Sequence, residues 1–303
     1  MNILMFTVDK CNFRCEYCYN RFPRTNKVAD LDVYYRFVKN IFEKTHRKLN
    51  VSLIGGEPTL NDQTLDFIRN VKSINESITL ELLTNLSQSS EYYVNCLNNG
   101  VKLAASWHGK KNDRQNLDYV KKIMSFPQKF YEKNMIEVRI MYEYDNWDSS
   151  ETVYNLLFYK YKQWMEISLL TRNDGSIYPY TSEQIETYRD HVKKLKYTRD
   201  FFTLVYSDGT KKNVSFNDMY LNPSVCFHLW KCNAGLDYIY VHVDGNVFNC
   251  QSYYEHGMKP ICNIYETKGE YKNELFKPCI CMVDYCSCDF DVHKEKILKG
   301  CGK

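Results

Sequence analysis

Three cysteines stand within eight residues near the start of this sequence, in the run Cys11-Asn-Phe-Arg-Cys15-Glu-Tyr-Cys18. Thiolates this close together can converge on one soft metal centre. Their number matters. A site short of one protein ligand keeps a coordination position open for a substrate, whereas a complete set makes a structural staple. In iron–sulfur chemistry the thiolates hold the cluster, so a cubane held by three of them leaves one iron open.

The chain has 13 cysteines, an odd number that does not resolve into disulfide pairs, so metal ligation is the expected use of the clustered ones. Three sit at 11 to 18, Cys96 stands alone, and nine fall between Cys226 and Cys301. Two metal regions are therefore predicted. The 303 residues suffice for one large domain, or one large and one small. A net charge of +3, from 40 basic and 37 acidic residues, gives no broad basic field, so nucleic acid is possible as a substrate but not indicated. The 26 tyrosines are expected to pack the core and line a polar pocket. No window of about eighteen apolar residues exists, and the N-terminus lacks the basic lead-in of a signal peptide, so a cytoplasmic protein with no membrane association is expected.

Elements that must position the cysteines follow from periodicity. Asn2 to Val8 reads as a short buried strand that delivers the chain into the cysteine loop. Asp30 caps a helix with apolar residues at helical spacing, and Val51 to Ile54 is a second strand ending at Gly55-Gly56-Glu57-Pro58. A helix from about Asn61 to Lys72 follows. Strands at 78–83, 101–106, 136–142 and 165–170 then alternate with helices at 91–98, 117–126 and 152–161. Six strand–helix units predict an α/β fold of parallel strands, either an open sheet or a barrel, whose functional loops follow the carboxyl ends of the strands. The unusual residues fall there: the cysteine loop, Gly-Gly-Glu-Pro, Thr84-Asn85 and Trp107-His108-Gly109. Thr181 and Gln184 predict a capped helix over 181–196. A turn at Asn173-Asp174-Gly175 precedes this helix, and beyond it the pattern changes to short strands and turns at Ser207-Asp208-Gly209 and Asp244-Gly245, the last a hairpin turn. The predicted division is residues 1–200 and 201–303.

The C-x3-C-x2-C spacing with an aromatic before the last cysteine, placed after a first strand, resembles the radical S-adenosylmethionine (radical SAM) superfamily. Gly55-Gly56-Glu57-Pro58 matches that family's "GGEP" motif. The resemblance implies a partial (β/α)6 TIM-like barrel and a [4Fe-4S] cluster on Cys11, Cys15 and Cys18, whose open iron chelates S-adenosylmethionine. It places Tyr17 near the adenine and Gly55, Gly56, Glu57 and Pro58 at the methionyl amino group. Physically, the two glycines would let backbone approach a ligand, and Glu57 would balance an ammonium. Thr84-Asn85 resembles a "TNG"-like element, with Leu86 standing where glycine is common. Ser106 and Arg139 correspond to positions that reach the ribose or the carboxylate, beside the plainer readings of a turn cap and a charge on a strand face. His108 is a weaker candidate, for substrate. Cys96, on the apolar face of its helix with Tyr93 and Leu97, is expected to be a buried core thiol.

Cys232, Gly245 and Cys250 reproduce the C-x(9–15)-G-x4-C opening of the family's C-terminal SPASM and twitch extensions. A full SPASM module continues C-x2-C-x5-C-x3-C, whereas this chain has C-x-C-x4-C-x-C from Cys279 to Cys288. The two thiols of each C-x-C pair are expected to point to opposite faces, which disfavours a compact double set. One auxiliary [4Fe-4S] cluster is therefore expected in a small cysteine-rich module of β-hairpin and helix, held by Cys232, Cys250 and members of the group Cys281, Cys286 and Cys288. Two clusters or a structural zinc are the alternatives. Cys226 and Cys262 are expected to be structural or incidental, and Cys301 to be mobile.

The resemblance implies reductive cleavage of S-adenosylmethionine and hydrogen abstraction from a peptide or amino-acid-derived substrate, with an electron donor such as flavodoxin or ferredoxin. The cysteine loop begins at residue 11, which is expected to leave no room for an N-terminal peptide-recognition domain. A modified nucleotide or nucleic-acid base is the alternative substrate. Of another class is a non-catalytic zinc or iron–sulfur binding module, and electron transfer without turnover is a third.

Overall fold

A computed structural model describes residues 1–18, 25–109, 113–172, 176–195, 201–205, 210–215, 227–283, 294 and 295. The predicted ligands Cys286 and Cys288, together with Cys226, Cys301 and the turns at 173–175 and 207–209, lie outside the described residues. The fold is mixed α/β, as the alternating pattern predicts. Six strands follow one another along the chain, β1 (Asn2–Phe6), β2 (Asn50–Ile54), β3 (Thr79–Thr84), β4 (Val101–Trp107), β5 (Ile136–Tyr142) and β6 (Met165–Leu169), with β1, β2 and β3 adjacent in one sheet. Beyond β1 the sheet continues with β10 (Tyr238–Val241), β11 (Asn246–Phe248) and β12 (Cys262–Asn263). The chain divides into two compact units, Met1–Leu103 with Cys226–Gly302, and Ala104–Val225, and the division runs through β4.

In the first unit β1 pairs in parallel with β2, and β2 with β3, so Met5, Leu53 and Leu82 come into cross-strand register on the fully buried face. The helix α1 (Leu31–Thr45) forms because Leu31, Tyr34, Phe37, Val38 and Ile41 fall on one side, each contributing about 1.5–3 kcal/mol when buried. Asp30 starts it by accepting the Asp32 N–H, and His46 ends it in the left-handed conformation. Helix α2 (Thr64–Ile74) begins three residues later than the spacing predicts. Pro58–Leu60 take up a 3₁₀ turn instead, and Asn61 donates to the carbonyls of Thr7 and Ala29. Helix α3 (Ser90–Asn98) completes this part, with Ser89 as its cap.

The C-terminal hairpin of β10 and β11 is present, and it does more than the sequence anticipates: β10 lies parallel to β1, Met5 beside Val241. Arg47 pairs with Asp237 and donates to the Leu236 carbonyl, and Tyr34 donates to the His242 carbonyl. A small separate sheet has β9 (Lys231–Cys232) between β13 (Cys279–Ile280) and β14 (Lys294–Glu295), and α8 (Gln251–Glu255) follows β11.

In the second unit β5 and β6 pair in parallel. Helices α4 (Asp113–Ser125) and α6 (Trp147–Tyr161) are present but begin four and five residues before the predicted starts, and a short α5 (Gln128–Glu132) after Pro127 was not signalled by periodicity. Helix α7 (Ser182–Lys194) carries the predicted capping box of Thr181 and Gln184. Strands β7 (Phe201–Val205) and β8 (Lys211–Ser215) make an antiparallel pair. Among the described residues no helix is long and apolar enough to cross a membrane.

Candidate active site

Strand β1 ends at Phe6, and the chain passes through Val8 and Lys10 into the cysteine loop, where Cys11, Cys15, Tyr17 and Cys18 are all partly exposed. Tyr17 lies in a turn closed by the Cys18 N–H on the Cys15 carbonyl at 3.2 Å. The loop lies against the end of β2. Gly56 donates to the Val8 carbonyl at 2.7 Å and Glu57 to the Lys10 carbonyl at 3.0 Å. A Cβ on Gly56 would stand 2.2 Å from the Lys10 oxygen, and one on Gly55 2.5 Å from the Val8 oxygen. The two glycines thus give room to the protein's own cysteine-bearing backbone.

Glu57 is 1 % exposed, and its carboxylate is turned inward. It accepts from Thr59 Oγ1 and Thr84 Oγ1, each at 2.7 Å, and from the Asn85 N–H at 2.8 Å. Burial pushes its carboxyl above the ordinary range, and these hydrogen bonds hold it back. Asn85, fixed at the end of β3, donates through Nδ2 to Asn12 Oδ1 at 3.0 Å and lies 3.9 Å from Cys11 Sγ. The Phe13 N–H reaches the same sulfur at 3.3 Å. Leu86 adopts φ +56°, the left-handed conformation that glycine takes without strain, and its N–H bonds Thr84 Oγ1. Its geometry explains why glycine would serve at this position.

In the second unit Ser106 lies on β4, half-buried, with His108 just beyond the strand. The backbone at Gly109 abuts Glu143, since a Cβ there would come 2.5 Å from that carboxylate. Glu143 is itself buried at the end of β5, and the sequence pattern did not single it out. Arg139 points to the half-exposed face of the β5–β6 pair, where it pairs with Glu137 and, at 3.2 Å, with Glu166. Alternation places Glu137 and Arg139 on one face, and strand register brings Glu166 opposite.

Four cysteines line one cavity of the first unit: Cys232, Cys250, Cys279 and Cys281. Here the expectation of divergent C-x-C thiols is corrected. Cys279 and Cys281 are two positions apart, which in an extended chain puts both side chains on the same face. Cys279 is also directly opposite Cys232 in the β9–β13 pair, and its thiol is pushed up by hydrogen bonding to Cys232 and by burial. The favoured ligand set had omitted Cys279, although its i,i+2 spacing to Cys281 carried the signal. Cys262 stands apart on β12, its thiol raised to about 11 by burial. Cys96 is fully buried on α3, and burial raises its thiol to about 12, as a core cysteine requires. Among the described residues no three His, Cys, Asp or Glu side chains are grouped to hold a single metal ion. A cubane makes a different demand, because each thiolate meets its own iron.

Residues 5–133 match the family described as the radical SAM superfamily. A GTP 3′,8-cyclase of Clostridium perfringens (strain 13 / Type A) is 38% identical over 81 residues, 25% of this chain and 24% of that protein. One from Microcystis aeruginosa is 34% identical over 84 residues, covering 26% of this chain and 25% of the relative. The chain thus spans about a quarter of the length of the curated relatives it matches. Among solved structures, anSMEcpe with bound AdoMet superposes with TM-score 0.57 at 18% identity, over 91% of this chain and 82% of that one. SuiB of Streptococcus suis bound to S-adenosylmethionine gives TM-score 0.57 at 13% identity, over 90% and 64%. At these identities the likeness shows the fold. Residues 5–133, which carry the three-cysteine loop and its strand–helix units, are thus similar to the radical SAM superfamily, and the solved structures share the fold.

Proposed function

We propose that this chain is a radical SAM enzyme acting on a peptide or amino-acid-derived substrate, with a [4Fe-4S] cluster on Cys11, Cys15 and Cys18 and a second, auxiliary cluster in the C-terminal region. Cys11, Cys15 and Cys18 would hold the first cluster, which when bound would supply the electron for reductive cleavage of S-adenosylmethionine ahead of hydrogen abstraction from the substrate. The observation that carries the reading is the clamped loop: three thiols brought forward at the end of β1 and pinned to the ends of β2 and β3. The donor set fits a cubane with one open iron, three soft ligands and no fourth in the loop.

The protein's own residues hold and orient this site. Gly55 and Gly56 let the loop seat on β2. Glu57 fixes Thr84 and Asn85 from inside, and the Phe13 N–H and Asn85 amide approach Cys11 Sγ as donors. Tyr17, Pro58, Ser106, Arg139 and His108 complete the candidate set for cofactor and substrate. Arg139 would meet them already balanced by two carboxylates. Solved structures of anSMEcpe with the Cp18Cys peptide and of SuiB with the precursor peptide SuiA support the peptide class. A nucleotide substrate is the second reading, favoured by the GTP 3′,8-cyclase relatives. A cytoplasmic location and a flavodoxin or ferredoxin donor complete the proposal.

Anaerobic reconstitution with iron and sulfide, followed by reduction with S-adenosylmethionine present, tests it. Sulfide-to-iron charge-transfer absorbance and 5′-deoxyadenosine are expected, and replacing Cys11, Cys15 and Cys18 by alanine is expected to abolish the nucleoside. A cluster that reduces without cleaving the cofactor would leave electron transfer alone. Bound zinc with neither signal would leave a binding module. Deuterium carried into 5′-deoxyadenosine from labelled peptide, or from labelled nucleotide, separates the two substrate classes.

A further inference from the structure

Tyr93, fully buried in the first turn of α3, stands behind the Glu57 clamp. Its phenol oxygen lies 3.0 Å from Thr84 Oγ1 and accepts the Gln88 N–H at 3.0 Å. Either oxygen of the Tyr93–Thr84 pair could donate, and counting protons decides which one does. A threonine hydroxyl has one proton and two lone pairs, whereas an ionised carboxylate can only accept. Thr84 and Thr59 therefore each spend their proton on Glu57 Oε1, both at 2.7 Å. One lone pair of Thr84 Oγ1 takes the Leu86 N–H at 3.1 Å, which leaves the other for Tyr93. Burial pushes the Tyr93 phenol well above its ordinary value, so the group keeps the proton that this bond needs. The donors thus point one way, from the Gln88 N–H through Tyr93 and Thr84 to Glu57. On its other oxygen Glu57 accepts the Asn85 N–H at 2.8 Å, and the Asn85 amide approaches Asn12 Oδ1 and Cys11 Sγ.

We infer that Tyr93 is a positioning residue for the cysteine loop, acting from α3 through Thr84 and Glu57 on the Asn85 amide beside Cys11. The part of this that concerns a cluster rests on the proposed radical SAM reading and deepens it; the order of the hydrogen bonds belongs to the chain itself. Tyr93→Phe keeps the ring and its packing. It removes the acceptor of the Gln88 N–H and opens a lone pair on Thr84, so the threonine hydroxyl is free to turn and the carboxylate it holds loosens with it. Asn85 then loses its fixed acceptor, and a donor near a ligating sulfur is one of the protein's means of tuning a cluster. The sequence pattern places Tyr93 on the apolar face of its helix, and only the pairing of α3 with the ends of β2 and β3 gives its hydroxyl this task.

Residue-resolved amide hydrogen exchange of the full-length chain, before reconstitution, tests the order of the bonds. In Tyr93→Phe, exchange at Asn85 and Glu57 is expected to be at least about threefold faster than in wild type, with Met5 and Leu53 of the same sheet unchanged. Tyr92→Phe, one position away on α3, is expected to leave all four amides as they are. Thr84→Val cuts the chain of donors, so adding Tyr93→Phe to it is expected to speed Asn85 no further. After anaerobic reconstitution and reduction, the electron paramagnetic resonance spectrum is expected to shift in Tyr93→Phe at unchanged iron content, and to match wild type in Tyr92→Phe. The inference fails if Asn85 exchange in Tyr93→Phe stays at the wild-type rate, or if Met5 and Leu53 accelerate equally, which marks lost folding. It also fails if Tyr93→Phe acts undiminished in the Thr84→Val background, or if the spectrum of the reduced cluster does not move. A wild-type chain that takes up no iron overturns the radical SAM reading instead, and the exchange rates then decide the role of Tyr93 alone.

Discussion

Glu57 is a carboxylate used as an internal clamp, and the consequences are measurable one residue at a time. Glu57→Gln keeps the shape but turns an amide toward groups that all donate, so at least one buried donor loses its partner. A loss of about 1–3 kcal/mol in denaturant unfolding is expected. The pH dependence has a definite sign. Burial raises the folded-state pKa above the unfolded value, so the folded protein binds more protons in that interval, and Glu57's contribution falls as pH rises from the ordinary carboxylate value upward. The stability of wild type relative to Glu57→Gln is expected to decline in that direction, and a rise would contradict the assignment. At Leu86 two effects compete. Glycine would relieve about 1–2 kcal/mol of left-handed strain, but truncating a leucine that is 2 % exposed costs about 2–5 kcal/mol. Burial wins, so Leu86→Gly is expected to lower the unfolding midpoint even though glycine suits the backbone.

Among the elements, the contact between the β2 end and the cysteine loop is the most sensitive. In Gly56→Ala the new methyl would sit 2.2 Å from the Lys10 oxygen and 2.9 Å from Cys11 Cβ, and backbone cannot yield as a flexible side chain would. Iron bound on reconstitution is expected to fall. Gly257→Ala is the control, because its Cβ meets nothing within 4 Å and carries only the φ penalty of about 1 kcal/mol. Equal iron loss in both would show that the clash is not the cause. The β10–β11 turn gives an element-scale pH effect. Burial alone would raise Asp244, but hydrogen bonding from His242 and Asn246 outweighs it and lowers the carboxyl to about 2. A depressed acid stabilises above its unfolded pKa, and that contribution is lost as pH falls from 3.8 through about 2. Asp244→Asn is expected to flatten the acid limb of stability in this interval.

For the molecule as a whole, the first unit is discontinuous in sequence, and its sheet needs both segments. Without residues 226–303 strand β1 would lose its pairing with β10, Asn2 its bond to the Asp237 carbonyl, and Phe37 the rings of Tyr271 and Phe276. A chain ending at residue 225 is therefore expected to bind a hydrophobic dye and to melt without a cooperative transition. A sharp melt like that of the full chain would show that the N-terminal segment folds alone.

What could be read from the sequence is what a few neighbouring residues encode. The spacing of Cys11, Cys15 and Cys18, the Gly55 to Pro58 turn, the capping box at Thr181 and the strand and helix periods all act within one or two turns of chain, and the elements they mark are present, with helix starts displaced by three to five residues at α2, α4 and α6. Tertiary structure decided what depends on pairing distant segments. Only the fold turns Glu57 inward to Thr84 and Asn85, surrounds Arg139 with Glu137 and Glu166, sets β10 beside β1, and brings Cys279 opposite Cys232. Those choices follow from strand register and from the cost of burying a polar group without partners, which no local pattern contains.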